Sequence, residues 1–421
     1  MGVNTSGNGF FHRNKTVFKM GLVALVIAAT ADLIAGLFLG SMENILALVP
    51  GMIILVYSAI GMRGNIFGAM GSRLGTSMHI GTFDLSFKKG GVLRANIESS
   101  IGLTMFISLA MGAIGWVVVV AFGFIETGTL DGFGAVHFVF ISMFGGLLAG
   151  LVLLVFNLII ATVGYKREWD IDNITAPLIA AAGDIVTMPM LALSAWIVIN
   201  TIDTAVVETM TIALVALTLI VLSIILLRKV LVGHVDEAKR IVRQSSFVLL
   251  ICLLFDIVAG VVIQNQQDTL LLIPVLLILM PAFLNEGNAL SGMLTSRLSS
   301  MIHLGTLETK GYPGKPAFEN FKITYVLAIV TYAYIGIIAY VATLLVYGDV
   351  AGIDFFSVMA IVMISGLLAT TVLNFLSYYV AAMAVKFELD PDDHSIPITS
   401  SSMDLIGASI LVMVISLIVI V

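Results

Sequence analysis

Long apolar stretches alternate with short polar segments along almost the whole chain. Most stretches are about 20 residues or longer, which is the length an α-helix needs to cross a bilayer. The pattern predicts eleven membrane-spanning helices, at 20–41, 45–72, 98–125, 135–164, 176–200, 205–228, 246–265, 269–296, 321–347, 352–384 and 397–421. The expected fold class is therefore an all-α polytopic membrane protein embedded in a lipid bilayer.

The distribution of basic residues predicts the orientation of these spans. With the N-terminus in the cytoplasm, all 20 Lys and Arg fall on the cytoplasmic side, with Arg63 at the cytoplasmic end of the second span. The outer loops 126–134 and 348–354 carry acids and no bases. This arrangement follows the positive-inside rule. We expect a multi-pass protein of the cell membrane, with its N-terminus in the cytoplasm and its C-terminus outside.

Composition narrows the functional classes. Hydrophobic residues make up 59% of the chain, charged residues only 11%, and the net charge is −6. No basic face remains for nucleic acid, and the single cysteine, Cys252, excludes a disulfide framework. Residues 1–19 are interpreted as a cytoplasmic tail, and the loops are too short to form a soluble domain. Any function must arise from the helices and short loops.

The sequence contains an internal repeat. At an offset of 224, Asp32, Gly36 and Pro50 match Asp256, Gly260 and Pro274, and at an offset of 220 Pro177 and Asp184 match Pro397 and Asp404. Segments 20–204 and 246–421 are therefore predicted to be two five-helix repeats, with a linker helix and cytoplasmic loop at 205–245. The extra helix makes the repeats parallel, related by a pseudo-two-fold axis along the membrane normal. A monomer would then suffice as a pseudo-dimer.

Four carboxylates are predicted near mid-membrane: Asp32 and Asp256 in the first span of each repeat, and Asp184 and Asp404 in the last. A lone Asp at that depth costs at least ~2.5 kcal/mol on insertion scales. The expected topology leaves no Lys or Arg at the same depth, so a cation is the expected partner. The alternative is a protonated Asp that bonds a neighbouring helix, and it carries more weight for Asp32 and Asp256.

Other polar positions recur in both repeats. The second spans carry Gly64-Asn65 and Gly287-Asn288, in which Asn offers an oxygen at low electrostatic cost; a helix-packing role is the alternative. Acidic residues recur in the cytoplasmic loops, where they would either concentrate cations or form an ordinary solvated surface. This candidate vestibule comprises Asp84, Glu308, Asp170, Asp172, Asp390 and Asp392, beside Glu168, Glu388 and Asp393.

Oxygen ligands without His or Cys select hard cations, and Mg²⁺ accepts one or two carboxylates while it keeps much of its water. The favoured function is transport of a divalent cation, with Mg²⁺ preferred. Channel and exchanger mechanisms both stay open. Asp32 and Asp256 are candidates for a second site that holds a coupling Na⁺ or H⁺, which would make the protein an exchanger.

These segments resemble the MgtE-type magnesium transporters, above all their solute-carrier relatives in which two such units are fused. The resemblance rests on VPGMIILVYSAIGMRGNIFGAMGSRLGTSMHIGT, PLIAAAGDIVTMPML and their second copies, LIPVLLILMPAFLNEGNALSGMLTSRLSSMIHLGT and IPITSSSMDLIGAS. It implies a pore between the second and last spans, with Asp184 and Asp404 holding hydrated Mg²⁺ and Asn65 and Asn288 nearby. Met403 departs from the family pattern, and the cytoplasmic Mg²⁺-sensing domains of bacterial members have no counterpart.

Two other classes were weighed. An organic-solute carrier would show more aromatic or Arg anchors at mid-membrane. An intramembrane aspartyl protease needs two carboxyls that share a proton. Its GxGD pattern is incomplete before Asp184 and absent before Asp404, and the repeats supply four Asp where a protease needs two. The chain is therefore not expected to be an enzyme.

Overall fold

The computed structural model describes residues 15–79, 81–88, 90–124, 133–167, 171–202, 206–232, 236–308, 311–350, 352–386 and 395–419. These residues form thirteen α-helices and no strand. The helices are α1 Lys15–Ser41, α2 Glu43–Leu48, α3 Met52–His79, α4 Val92–Ala121, α5 Ala135–Arg167, α6 Ile171–Ile202, α7 Val206–Val232, α8 Asp236–Gln264, α9 Gln267–Leu272, α10 Pro274–His303, α11 Lys315–Tyr347, α12 Phe355–Lys386 and α13 Ile396–Val419.

Eleven of the helices in the described ranges are long and apolar enough to cross a membrane; only α2 and α9 are too short. Each of the eleven coincides with a predicted span to within several residues at most ends. The largest difference is at α8, which begins ten residues before the predicted start at 246, because the polar segment that precedes this span is also helical. The all-α polytopic fold class is confirmed.

The second span of each repeat differs from its prediction in the same way. The expected spans 45–72 and 269–296 are each divided into a short helix and a long one, α2 and α3 or α9 and α10. The break falls at Val49 and Ile273, whose backbones leave the helical region just before Pro50 and Pro274. Proline disfavours the helical conformation of the residue before it and lacks a donor for the helix it interrupts.

The first span of each repeat packs against the opposite repeat. Helix α1 lies along α10 and α11, whereas α8 lies along α3 and α4. Gly36 of α1 meets the backbone of Ile278, and a Cβ on Gly260 of α8 would lie 2.8 Å from the Cα of Ile54. Both contacts join positions that match at the offset of 224, so the first helix of each predicted repeat approaches the other predicted repeat closely at an equivalent place.

Helices α3, α6, α10 and α13 are the second and last spans of the repeats, and they bring the polar side chains together. Helix α3 packs on α6, and α10 on α13. The linker helix α7 lies on the outside against α4, α5, α6 and α8, and it leaves apolar side chains such as Met210 and Leu214 exposed. Exposed apolar surface of this kind is suited to contact with lipid.

Candidate functional site

The four predicted carboxylates are buried in the helix bundle. Asp32 and Asp256 are 2% and 1% exposed, and Asp184 and Asp404 are 3% and 9% exposed. Asp184 and Asp404 lie close enough for their charges to interact. In the part of the chain that the structure describes, none of the four forms an ion pair with Lys, Arg or His.

In one half of the site, Asp32 of α1 and Asp184 of α6 are joined by an amide. The Asn285 side chain of α10 donates a hydrogen bond to Asp184 Oδ2. Asp32 lies beside both Asn285 and Asp184. Because α1 packs against the second repeat, this cluster contains one side chain from α10 and two from the first repeat.

In the other half, Asp256 of α8 and Asp404 of α13 meet at a glycine. A Cβ on Gly61 of α3 would lie 2.5 Å from Asp256 Oδ2 and 3.2 Å from Asp404 Oδ2. Asn288 of α10 donates a hydrogen bond of 2.8 Å to Asp404 Oδ1. Ser401 lies beside Asp256, yet neither oxygen of Asp256 makes a hydrogen bond of ordinary geometry with a described residue.

A cavity lies between α3 and α10, at the point where both halves meet. Its lining includes Tyr57, Gly61, Asp256, Pro281, Asn285 and Asp404. Tyr57 and Pro281 match at the offset of 224, as do Gly61 and Asn285, so the cavity straddles equivalent positions of the two repeats. Its polar lining consists mainly of oxygen atoms, the donors that hard cations prefer.

The two predicted Asn residues have different partners. Asn288 contacts Asp404 directly, whereas Asn65 donates a 3.1 Å hydrogen bond to Ser401 Oγ of the opposite repeat. Asn65 also lines a second cavity, with Ser245 and Pro397. Since Asn65 lies one helical turn from Gly61, it is adjacent to the carboxylates along α3 without bonding to one of them.

Two polar residues near the site were missed from the sequence. Asn285 and Glu286 precede the recognised Gly287-Asn288 pair, and their apolar neighbours concealed them. Glu286 is buried, with Oε1 accepting a 2.5 Å hydrogen bond from Thr331.

The prediction that Arg63 lies at a cytoplasmic helix end is wrong. The expectation that no base shares the depth of the carboxylates is therefore wrong as well. Arg63 is 0% exposed in the interior of α3 and donates a 2.7 Å hydrogen bond to Ser108 Oγ. It lies two residues beyond Gly61, a rise of about 3 Å along the helix. The positive-inside rule describes charges near the membrane surface and does not apply to a base held inside a bundle.

The candidate vestibule is only partly described. Asp84 and Glu308 are exposed, as expected for loop residues. Asp170, Asp390 and Asp392 lie outside the described residues, together with Glu168, Glu388 and Asp393, and the side chain of Asp172 is likewise not described.

Buried carboxylates, amides and a small cavity at the centre of a helical membrane protein are features that suit a membrane transport protein. In the described ranges no three His, Cys, Asp or Glu side chains cluster as a metal site would require. A site built here has two carboxylates and amide oxygens, a set that suits a cation which retains water.

Comparison with known proteins agrees with this class. A family described as "MgtE: Divalent cation transporter" matches residues 56–194 and 280–414, one match inside each predicted repeat. The chain therefore belongs to the MgtE divalent cation transporter family, whose members carry out membrane cation transport.

Individual relatives are similar over most of the chain. Solute carrier family 41 member 3 of Rattus norvegicus is 21% identical over 92% of this chain and 84% of its own length. Solute carrier family 41 member 2 of Gallus gallus is 22% identical over 93% of this chain and 68% of its own length. Among solved structures, the eukaryotic MATE transporter AtDTX14 matches at a TM-score of 0.35 with 11% identity, over 98% of this chain and 96% of its own, too weak a likeness to bear on the fold.

Proposed function

We propose that the protein transports divalent cations, Mg²⁺ above all, through the interface between its two repeats. The observation that carries this proposal is that Asp256 and Asp404 line a central cavity, that Asp32 and Asp184 are buried next to Asn285 of the same lining, and that none of the four has a basic partner among the described residues. Buried carboxylates without a cation are expensive in a bilayer, and four of them from four helices exceed what structural hydrogen bonding needs.

The choice of Mg²⁺ follows from the ligand chemistry. The groups available are carboxylates and the amides of Asn285 and Asn288, with no His or thiolate bonded to them. The one cysteine, Cys252, lies on α8 near Asp256, and oxygen donors in excess of one thiol favour a hard ion. Family membership supports a divalent cation in general, and the relatives named above are transporters.

Three further parts of the proposal concern topology and coupling. The N-terminus lies in the cytoplasm and the C-terminus outside, as the basic residues predict. Asp32 and Asp256 bind a coupling Na⁺ or H⁺ in addition to lining the pore. The acidic loop residues, including Asp84 and Glu308, concentrate cations at the cytoplasmic mouth.

Flux into proteoliposomes tests the transport proposal. We expect the wild-type protein to move Mg²⁺ down an imposed gradient, and the double variant Asp184→Asn/Asp404→Asn to lose this flux. Asn keeps the size of Asp and removes the charge, so the fold is preserved while the cation loses its counter-charge. Asp268→Asn, at an exposed carboxylate of α9, is the matched control that should transport as the wild type does.

Ion coupling is measured in the same vesicles under imposed Na⁺ or pH gradients. Asp32→Asn/Asp256→Asn should lose the dependence of Mg²⁺ flux on one of these gradients. Near-normal Mg²⁺ flux in Asp184→Asn/Asp404→Asn would rule out the proposed pore. Gradient dependence identical to the wild type in Asp32→Asn/Asp256→Asn would reject the coupling role alone.

A further inference from the structure

The two halves of the carboxylate site are built differently at one pair of equivalent positions. Gly61 of α3 and Asn285 of α10 match at the offset of 224. Each lies beside one carboxylate from a first span and one from a last span. Gly61 has Asp256 and Asp404 as neighbours, and Asn285 has Asp32 and Asp184.

At Asn285 the space between the two carboxylates is filled by a side chain. The amide donates to Asp184 Oδ2 and lies against Asp32. An amide N–H₂ group offers two hydrogen-bond donors. These can take the place of a cation, or of its bound water, as partners of a pair of carboxylates. This half of the site therefore has an internal substitute for an ion.

At Gly61 the same space has no side chain. A methyl group there would already approach Asp256 Oδ2 to 2.5 Å and Asp404 Oδ2 to 3.2 Å, so the glycine brings both carboxylates against the α3 backbone. The residue one turn further along, Gly64, is also a glycine, where α10 has Asn288 at the matching position. Helix α10 thus supplies the amides that contact the carboxylates of both halves, and α3 presents glycine backbone to Asp256 and Asp404.

The hydrogen bonds of the carboxylates also differ between the two halves of the site. Asp256 is 1% exposed and lines the central cavity, and although Ser401 lies beside it, neither of its oxygens makes a hydrogen bond of ordinary geometry with a described residue. Of Asp32, only Oδ1 is both buried and without a partner among the described residues, and Asn285 lies beside this carboxylate. Asn288 donates to Asp404 and leaves its own carbonyl oxygen without a partner in the described part of the chain. Unpartnered buried oxygens of this kind are costly unless a cation takes them.

We propose that the chain holds a single divalent cation off its pseudo-two-fold axis, between Asp256 and Asp404 beside Gly61, because Asn285 closes the equivalent place beside Asp32 and Asp184. This inference rests on the proposed cation transport and specifies which half of the site holds the ion. It assigns Asp256 to the divalent ion, so that of the two first-span carboxylates only Asp32 is left for a coupling ion. Two carboxylates balance the charge of one divalent ion, and Asn288 adds a neutral oxygen ligand. Asn285 acts as a fixed substitute for a second ion.

Exchanging the two side chains tests the proposal. The probe is Mn²⁺, a hard divalent ion whose binding to the purified full chain is counted by electron paramagnetic resonance, with Mg²⁺ as competitor. The wild type should bind one Mn²⁺ per chain, Gly61→Asn none, and Asn285→Gly two. The double variant Gly61→Asn/Asn285→Gly should again bind one, now at the Asp32 and Asp184 pair.

Single carboxylate variants give a second measurement that does not depend on tolerance of the exchange. Asp256→Asn should weaken Mn²⁺ binding about 30-fold or more, since a buried charged ligand is lost, and considerably more than Asp32→Asn does. In the double-exchange background this order should reverse. Asp268→Asn is again the unchanged control.

Three results would overturn the inference: two Mn²⁺ bound by the wild type, undiminished binding in folded Gly61→Asn, or equal weakening by Asp32→Asn and Asp256→Asn. Any of these, found together with normal Mg²⁺ flux, leaves the transport proposal intact. Absence of Mg²⁺ flux in a wild type that binds one Mn²⁺ with the expected dependence rejects the transport proposal and keeps the asymmetric site.

Discussion

The two repeats are alike where their first helices pack against the opposite repeat. Gly36 contacts the backbone of Ile278, and Gly260 contacts the backbone of Ile54 in the equivalent way. At the centre they differ, because Asn285 stands where the first repeat has Gly61. The contacts that hold the helices together have been kept in both copies, whereas the side chains around the carboxylates have diverged. Within this one fold, the positions that pack helices together are therefore the same in both repeats, whereas the positions that contact the carboxylates differ.

The largest expected effect separates the two last-span carboxylates. Asp404→Asn should reduce Mg²⁺ flux by roughly 100-fold, equivalent to about 2.7 kcal/mol, because a buried ligand of the ion loses its charge. Asp184→Asn should reduce flux about tenfold or less, since Asp184 is bonded to Asn285 and shapes the field around the ion. Initial rates in proteoliposomes with equal protein content give both values. Equal losses in the two variants would remove the functional difference between the repeats.

The next effect tests the likeness of the contacts made by the first helices. Gly36→Ala and Gly260→Ala should each destabilise the protein by about 1–3 kcal/mol, because the added methyl overlaps the backbone of the facing helix. Thermal unfolding in detergent measures the loss. Gly68→Ala and Gly292→Ala, matched positions with open space around them, are the controls. These should be neutral or stabilise by roughly 0.5–1 kcal/mol, the helical preference of Ala over Gly.

A strongly unequal response of Gly36→Ala and Gly260→Ala would show that the packing of the first helices is not equivalent in the two halves. Destabilisation of Gly68→Ala to the same degree as Gly36→Ala would instead trace the effect to helix conformation rather than to close approach.

A smaller effect concerns two buried ionisable side chains beside the site, the basic Arg63 in the first repeat and the acidic Glu286 in the second. Ser108→Ala removes the hydrogen bond of Arg63, and Thr331→Val removes that of Glu286. Each variant should cost about 0.5–1.5 kcal/mol of stability, because a buried polar group is left with fewer partners. Thermal unfolding of the two single variants checks this. A Tm equal to that of the wild type in either case would show that the hydrogen bond is replaced by water.

The smallest effect lies outside the membrane, where the fourth spans begin differently. Asp354 precedes α12 and accepts hydrogen bonds from Ser357 Oγ and the Phe356 amide, whereas α5 begins after Gly134. The Ser357 hydroxyl holds the pKa of Asp354 below its ordinary value. A depressed pKa in the folded state gives stability that is present above the ordinary aspartate pKa and is lost as the pH falls through the folded value.

Asp354→Ala should therefore lower the Tm slightly at neutral pH, and the difference from the wild type should shrink on acidification below the ordinary aspartate pKa. Thermal unfolding at a series of pH values records this. A difference that persists unchanged at the acid end would assign the effect to chain conformation instead of the carboxylate.

The spans and the four carboxylates could be predicted because their signals are local. Apolar length defines a membrane helix, and an Asp such as Asp184 or Asp404 is conspicuous within one. The repeat was visible because Asp, Pro and Gly recur at fixed offsets. The division of each second span was missed, although Pro50 and Pro274 marked it, because the apolar run continues across both prolines.

The partners of the carboxylates could not be predicted because they depend on which helices touch. Asn285 reaches Asp32 and Asp184 only because α1 and α10, from opposite repeats, lie side by side. No spacing in the sequence indicates this contact. Arg63 shows that a local rule can also mislead. The rule about loop charges predicted that Arg63 lies at the membrane surface, but its side chain is fully buried.

The packing of the first helices against the opposite repeat also affects the order in which the protein assembles in the membrane. Helix α1 leaves the ribosome before the other helices, and although α6 of the first half packs on it, its partners α10 and α11 lie in the second half of the chain. Until α10 is inserted, Asp32 can lie beside Asp184 of α6 but lacks the Asn285 amide, so completion of the carboxylate cluster is a late event in biosynthesis. Truncated chains that end before α10 should therefore be recognised by membrane quality control as unassembled.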